Sequence, residues 1–94
     1  MNNPQIDTHG TKRWTNSTGQ WHREDGPAID YPSGSKLWYQ NGNRHRLVGP
    51  AIEWANGTRS YYINGQKLTE ADWNEHPLRK DYIIKENLKS ILND

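Results

Sequence analysis

The residues best suited to chemistry are two His-Arg pairs, His22-Arg23 and His45-Arg46, which stand 23 positions apart. A histidine beside a guanidinium can take part in proton transfer or bind an anion. The first pair is followed by the acids Glu24-Asp25, whereas the second is followed by Leu47-Val48. Arg46 therefore lacks local acids, and we expect it to be freer than Arg23 to bind an external anion. A structural role for both pairs is the alternative, because they recur at one fixed offset.

The other reactive residue types do not fall into a catalytic pattern. The sequence has no cysteine, and its 4 histidines lack the short spacing that is typical of zinc sites. No serine stands in a nucleophile-elbow context, and no glycine-rich phosphate loop precedes a predicted helix. Glu24, Asp25, Asp30 and Glu53 could pair as acid and base, but Asp30 and Glu53 repeat each other at the same offset, which favours a solvated strand face. We therefore expect no catalytic activity, no metal and no cofactor.

Cations alternate with aromatic residues in the middle of the chain. Such a mixture suits nucleobases and phosphates, and it equally suits a protein interface, where Trp, Tyr and Arg are common anchors. In each adjacent aromatic pair, one member should join the core and the other should remain on the opposite face of the sheet. The predicted ligand- or partner-binding residues are Trp38, Tyr39, Arg44, His45, Arg46, Leu47, Val48, Arg59, Tyr61 and Tyr62.

A repeat of 23 residues must position these side chains, and it is clearest between residues 22–42 and 45–65. Both units contain Gly-Pro-Ala-Ile, then a glycine, an aromatic pair and Asn-Gly. A degenerate earlier unit lies at residues 10–14, with Gly19 in the place of the turn glycine. Asn-Gly between aromatic segments predicts a hairpin turn, and Gly-Pro predicts the start of a strand. The repeat therefore predicts an antiparallel meander with strands over 28–31, 35–40, 43–46, 51–54 and 60–63.

A helical tail is predicted after the last hairpin. Thr69 and Asp72 have the spacing of a capping box, so a short helix should run to about His76 and end before Pro77. A second helix should extend from about Leu78 to Leu92. Its apolar residues share one face, which must pack either on the sheet of the same chain or on a second copy. The predicted oligomerisation residues are Ile84, Leu88, Ile91 and Leu92.

The bulk composition indicates one small domain of 94 residues. We predict a mainly β class with C-terminal helices (α+β), divided into a flexible N-terminus (1–9), β-hairpin repeats (10–68) and a helical tail (69–94). The net charge of +1 makes a nucleic acid polymer an unfavourable partner. No apolar run approaches the ~20 residues of a membrane span, and the absence of cysteine fits a reducing cytoplasm.

The repeat resembles the MORN-type hairpin repeat, and more closely a MORN-like variant that is common in uncharacterised phage and bacterial proteins. The resemblance rests on His22-Arg23-Glu24-Asp25-Gly26-Pro27-Ala28, on Trp38-Tyr39 followed by Asn41-Gly42, and on the closing segment from Ile63 to Trp73. It implies a small, non-catalytic repeat protein that is phage-encoded and acts in the bacterial host cytoplasm. It supplies no functional residues.

Two functions remain open from the sequence. The first is a protein-interaction module that blocks a host enzyme or defence factor. The second is a binder that sequesters a small anionic ligand, such as a cyclic or signalling nucleotide, in an Arg/aromatic pocket near an oligomer interface. Because a short repeat array leaves exposed sheet ends, a homo-oligomer is expected in either case.

Overall fold

The computed structural model describes residues 3–92, which form short antiparallel strands followed by two helices. The predicted class, mainly β with C-terminal helices, is confirmed. The strands are β1 (Gln5–Ile6), β2 (Lys12–Arg13), β3 (Ile29–Asp30), β4 (Lys36–Leu37), β5 (Tyr39–Gln40), β6 (Asn43–Arg44), β7 (Ile52–Glu53), β8 (Arg59–Ile63) and β9 (Gln66–Leu68), and the helices are α1 (Glu70–Glu75) and α2 (Pro77–Leu92).

The main sheet has the strand order β1-β2-β3-β4-β7-β8-β9, and the β5-β6 hairpin forms a separate two-stranded sheet. The predicted continuous strand over residues 35–40 is therefore wrong. The chain leaves the main sheet at Trp38, because the Trp38 N–H donates to the Ala51 carbonyl whereas Tyr39 already pairs with Arg44. The neighbour of β4 in the main sheet is β7, and the β5-β6 hairpin lies between these two strands in the sequence.

Both predicted Asn-Gly turns are present. Asn41 and Asn64 have φ angles of 49° and 51°, and the glycines that follow them have φ angles of 85° and 83°. This left-handed backbone at two consecutive positions is what a type I′ turn requires. The Gly42 N–H donates to the Trp21 carbonyl, and the Gly65 N–H donates to the Arg44 carbonyl. Each hairpin turn is thereby attached to the preceding unit.

The two faces of the main sheet differ because adjacent strand residues point to opposite sides. One face supplies the core, in which Ala28, Ile29, Leu37, Tyr39 and Ile52 form a single buried cluster. The other face carries a row of charged residues that are paired in register across β2, β3, β4, β7 and β8. Their signs alternate along the row, which stabilises neighbouring strands. The row consists of Lys12, Asp30, Lys36, Glu53 and Arg59.

The N-terminal segment was expected to be flexible over residues 1–9. Within this segment, β1 pairs with β2, and Asp7 accepts hydrogen bonds from the loop that connects them. One Asp7 carboxylate oxygen accepts from the His9 and Thr11 N–H groups, and the other accepts from Arg13 Nη1 at 2.7 Å. The Arg13 hydrogen bond is the main reason that the pKa of Asp7 is lowered to about 2. Residues 1–2 lie outside the described part of the chain.

The short helix α1 begins as predicted, with Thr69 as its N-cap. The Thr69 hydroxyl accepts the Asp72 N–H at 3.1 Å, which satisfies one of the free donors of the first turn. The apolar residue Trp73 is buried in this helix, where its ring packs on Tyr61 of β8 at 4.8 Å between centroids. The helix α1 therefore covers the C-terminal end of the hairpin array.

The long helix α2 behaves differently, because none of its described residues is buried. Of the two arrangements expected for its apolar face, packing on the sheet of the same chain is therefore absent from the described part of the chain. Ile84, Leu88, Ile91 and Leu92 retain 65%, 53%, 69% and 74% of their full exposure. Within residues 3–92, no helix has the length and apolar character needed to cross a bilayer.

Candidate functional site: a groove between two repeated loops

Two loops begin with the pairs His22-Arg23 and His45-Arg46, and they are called the His-Arg loops below. In each loop the arginine side chain folds back over the loop. The Arg23 guanidinium lies 3.8 Å from the Trp14 ring, and the Arg46 guanidinium lies 3.7 Å from the Trp38 ring. Nη1 of each arginine donates to the carbonyl of the proline four residues ahead, Pro27 or Pro50. The two loops therefore share one internal arrangement, in which the arginine contributes to the fold.

The glycine of each loop makes room for this arginine. A Cβ atom on Gly26 would lie 2.8 Å from Arg23 Cζ, and a Cβ atom on Gly49 would lie 2.9 Å from Arg46 Nη1. Neither glycine has a positive φ angle, so the requirement is for space and not for backbone freedom. This contact explains why an arginine and a glycine three residues later recur together in both His-Arg loops.

The histidine of each pair also has a structural role, because it fixes the next hairpin turn. Nδ1 of His22 accepts the Asn41 N–H, and Nδ1 of His45 accepts the Asn64 N–H, both at 3.0 Å. An acceptor Nδ1 requires an unprotonated ring nitrogen. Burial, and then the nearby His76, lowers the pKa of His45 below its usual value, which favours the neutral ring that this hydrogen bond needs.

An open groove of about 1100 Å³ lies between the two loops. Trp38 and its covering Arg46 lie in the groove, Val48 and the Glu24-Asp25 pair lie along it, and Tyr82 of α2 contributes a wall. The Glu24 and Asp25 side chains are 83% and 86% exposed, and Val48 is 59% exposed. The groove thus offers apolar surface beside exposed carboxylates.

The arginine and lysine side chains of this groove are engaged within the chain. Lys36 pairs with Asp30 at 2.9 Å, and Arg23 pairs with Asp25 at 2.9 Å. Arg46 has no acid directly after it in the sequence, but its Nη1 lies 3.0 Å from Glu53 Oε2. Arg46 is also no freer than Arg23, since their side chains are 20% and 23% exposed.

Four carboxylates line the groove beside these three cations. The lowered pKa of His45 adds no positive charge at neutral pH. The field in the groove therefore favours a cationic group over an anion.

The aromatic pairs divide between core and surface. Tyr39 is buried at 6% exposure, so little of its side chain is accessible to a partner. Trp38 lines the groove beneath Arg46. In the second pair, Tyr62 packs against the core cluster, whereas Tyr61 lies under Trp73.

The remaining predicted site residues lie in three places. Leu47 and Val48 line the groove together with His45. Arg44 is exposed on the β5-β6 hairpin, with its guanidinium 5.3 Å from the Tyr62 ring, and it lines a smaller cleft of about 330 Å³. Arg59 stands opposite Glu53 on the charged face. The structure thus brings together Trp38, His45, Arg46, Leu47 and Val48 and separates Arg44 from them.

Sequence reasoning did not place three of the groove residues, Glu24, Asp25 and Tyr82, at a binding site. Glu24 and Asp25 are interpreted from the sequence as local partners of Arg23 or as an acid/base pair, whereas their high exposure makes them available to a partner. Tyr82 was not singled out, because nothing in the spacing of α2 shows that it points toward a loop more than thirty residues earlier.

Within residues 3–92, no cluster of three or more His, Cys, Asp or Glu residues could hold a metal ion. The chain matches no protein-family model, no curated protein and no solved structure. Its function must therefore be argued from the geometry of the groove and of α2.

Proposed function

We propose that this chain is a non-catalytic protein-binding module that takes up a segment of a partner protein in the groove between the two loops. The observation that carries the proposal is the pairing of Arg23, Lys36 and Arg46 with carboxylates of the same chain. These cations are held in place by the fold, so an incoming anion would have to displace a carboxylate to reach them. Binding of a small anionic ligand is disfavoured for the same reason.

The chemistry of the groove defines the segment that would fit it. Val48 and the Trp38 ring provide an apolar surface for one buried side chain of the partner. Glu24 and Asp25 are positioned to meet a lysine or arginine of the partner. The predicted ligand is thus an exposed segment that combines an apolar anchor with positive charge.

The biological setting of the proposal comes from the MORN-like resemblance. A small binder without catalytic groups acts by occupying a surface of its partner. We therefore propose that the protein is phage-encoded and works in the bacterial host cytoplasm, where it blocks a host enzyme or defence factor. The groove residues are the ones on which this inhibition should depend.

The groove can be tested by photo-crosslinking in the proposed host. A benzophenone amino acid at Val48 should yield one discrete covalent adduct, which excess unlabelled wild-type protein competes away. The same probe at Thr18, in an exposed hairpin of the first unit, serves as the matched control and should give no adduct. In the Val48 probe background, Glu24→Lys combined with Asp25→Lys should lower the yield at least tenfold, because a cationic segment is then repelled.

Two results would contradict the proposal. Equal crosslinking at Val48 and Thr18 would show non-specific contact. A nucleotide adduct in native mass spectrometry that the two lysine substitutions strengthen would instead show that the groove binds anions.

A further inference from the structure

The helix α2 is held with its polar side toward the rest of the chain. The Arg79 guanidinium lies 3.9 Å from the Trp73 ring, and its Nη1 donates to the Leu47 carbonyl. Tyr82, one turn later, lines the groove. These contacts fix the rotation of the helix about its axis.

The apolar residues of α2 consequently point away from the chain. Leu88 follows Arg79 by nine residues, which is about two and a half helical turns, and Ile91 follows Tyr82 by the same interval. Both apolar residues therefore lie on the opposite side of the helix from the anchoring contacts. Their exposures of 53% and 69% agree with this orientation.

We propose that this outward face binds the same face of a second copy of the chain, with the two α2 helices antiparallel. A two-fold contact requires a surface that is complementary to itself. Ile84 and Leu92 lie four residues on either side of Leu88. A two-fold axis at Leu88 therefore places Ile84 of each copy beside Leu92 of the other and brings the two Leu88 side chains together.

The charges on α2 favour the antiparallel orientation. In a parallel pair of α2 helices that buries the same apolar residues, Lys80 of one helix would approach Lys85 of the other. These two residues occupy the flanking positions that meet in parallel coiled coils, so their like charges would repel. In the antiparallel pair, Lys85 lies beside the apolar last turn of the second copy, and the helix dipoles oppose each other favourably.

The size of the face predicts a reversible dimer. Four aliphatic side chains at 53–74% exposure, with the stems of the flanking lysines, would bury on the order of 1,000 Å² in total, near the lower limit for a specific interface. The dissociation constant should therefore lie at about 10 µM, and not in the nanomolar range.

The molar mass of the protein in solution tests whether the dimer forms. Light scattering after size exclusion, from about 1 to about 200 µM, should show a monomer that converts to a dimer as concentration rises. Leu88→Glu should remain monomeric throughout with an unchanged melting temperature. The matched control is Val48→Glu, which adds the same charge at a similarly exposed aliphatic residue and should still dimerise.

These variants also separate the dimer from the proposed groove function. Val48→Glu should lose the partner and keep the dimer, whereas Leu88→Glu should lose the dimer and keep the partner. A monomeric wild type up to the highest concentration would overturn the dimer and leave the groove proposal intact. Binding of monomeric wild type to anionic phospholipid vesicles would instead assign the face to a lipid surface.

The orientation is tested by disulfides, since the chain has no native cysteine. In the antiparallel pair, Leu88→Cys should crosslink to itself at the axis, and a mixture of Ile84→Cys with Leu92→Cys should give the mixed disulfide under mild oxidation. Self-crosslinking of Ile84→Cys without the mixed product would show a parallel pair and overturn the proposed arrangement.

Discussion

The indole N–H of Trp73 donates a 2.9 Å hydrogen bond to the backbone carbonyl of Arg46. In the preceding unit, the equivalent carbonyl of Arg23 accepts from the Gln40 side chain at 2.8 Å. The residue 23 positions after Gln40 is Ile63, which has no side-chain donor. Trp73 thus supplies from α1 a hydrogen bond that the last hairpin cannot make, which explains how a helix can end the array.

Trp73→Phe should therefore destabilise the protein, because it keeps an aromatic ring at this position but removes the indole N–H donor. The loss of one hydrogen bond to a partly buried carbonyl is expected to cost about 1–2 kcal/mol, whereas Trp73→Ala should cost about 3–5 kcal/mol because it also leaves a cavity. Urea unfolding followed by circular dichroism measures both. Gln40→Ala is the matched control and should resemble Trp73→Phe. Equal stability of Trp73→Phe and wild type would show that the hydrogen bond is unimportant.

Arg23→Ala and Arg46→Ala should both act mainly on stability, since each side chain stacks on a tryptophan and donates to a proline carbonyl. Loss of the stacking on tryptophan, worth about 0.5–2 kcal/mol, and of the hydrogen bond to the proline carbonyl, worth about 1 kcal/mol, predicts about 2 kcal/mol for each variant. Substitution by lysine should recover little, because an ammonium group cannot reproduce the planar contact. Chemical denaturation measures the difference. An Arg46→Ala variant of wild-type stability would contradict this structural role.

A double-mutant cycle tests the contact between Gly49 and Arg46. Gly49→Ala places a methyl group against the guanidinium and should cost about 1–3 kcal/mol by overpacking. In the Arg46→Ala background the same change should cost little, because the obstructing group is gone. The coupling free energy from denaturation of the four proteins should therefore be about 1 kcal/mol or more. Additive effects would mean that Gly49 is needed for another reason.

The sequence predicted local features well because their causes are local. The left-handed backbone at Asn41 and Asn64 follows from Asn-Gly itself, and the Thr69 cap follows from a short spacing. The pairing of Arg46 with Glu53 depends on how the loop lies against β7. No spacing rule indicates that contact, so the charge of the groove could not be predicted.

The orientation of α2 could not be predicted from the sequence for a related reason. The periodicity of its apolar residues shows that they share one face, but not which way that face points. The direction is set by Arg79, which lies on the Trp73 ring and donates to the Leu47 carbonyl more than thirty residues earlier. No periodicity within α2 indicates the contact with Leu47. The apolar stripe therefore left two packing partners open, the sheet of the same chain or a second copy, and the anchoring arginine turns the stripe away from the sheet.

The His45 hydrogen bond predicts a loss of stability in mild acid. Burial lowers the pKa of folded His45 below the value of 6.5 that an unfolded histidine has, so the unfolded state binds a proton more readily. The contribution is complete above about pH 6.5 and is lost as the pH falls below 6.5 toward the folded pKa. Protonation of Nδ1 would also remove the acceptor for the Asn64 N–H.

His45→Gln isolates this contribution. Unfolding free energies at about pH 7.5 and about pH 5 should show wild type losing its advantage over His45→Gln as the pH falls. Carboxylates titrate in both proteins, so only the difference between them reports on His45. His9→Gln, in an exposed loop, controls for the removal of a histidine elsewhere. The same pH slope in wild type and His45→Gln would show that the imidazole does not need to be neutral to hold the turn.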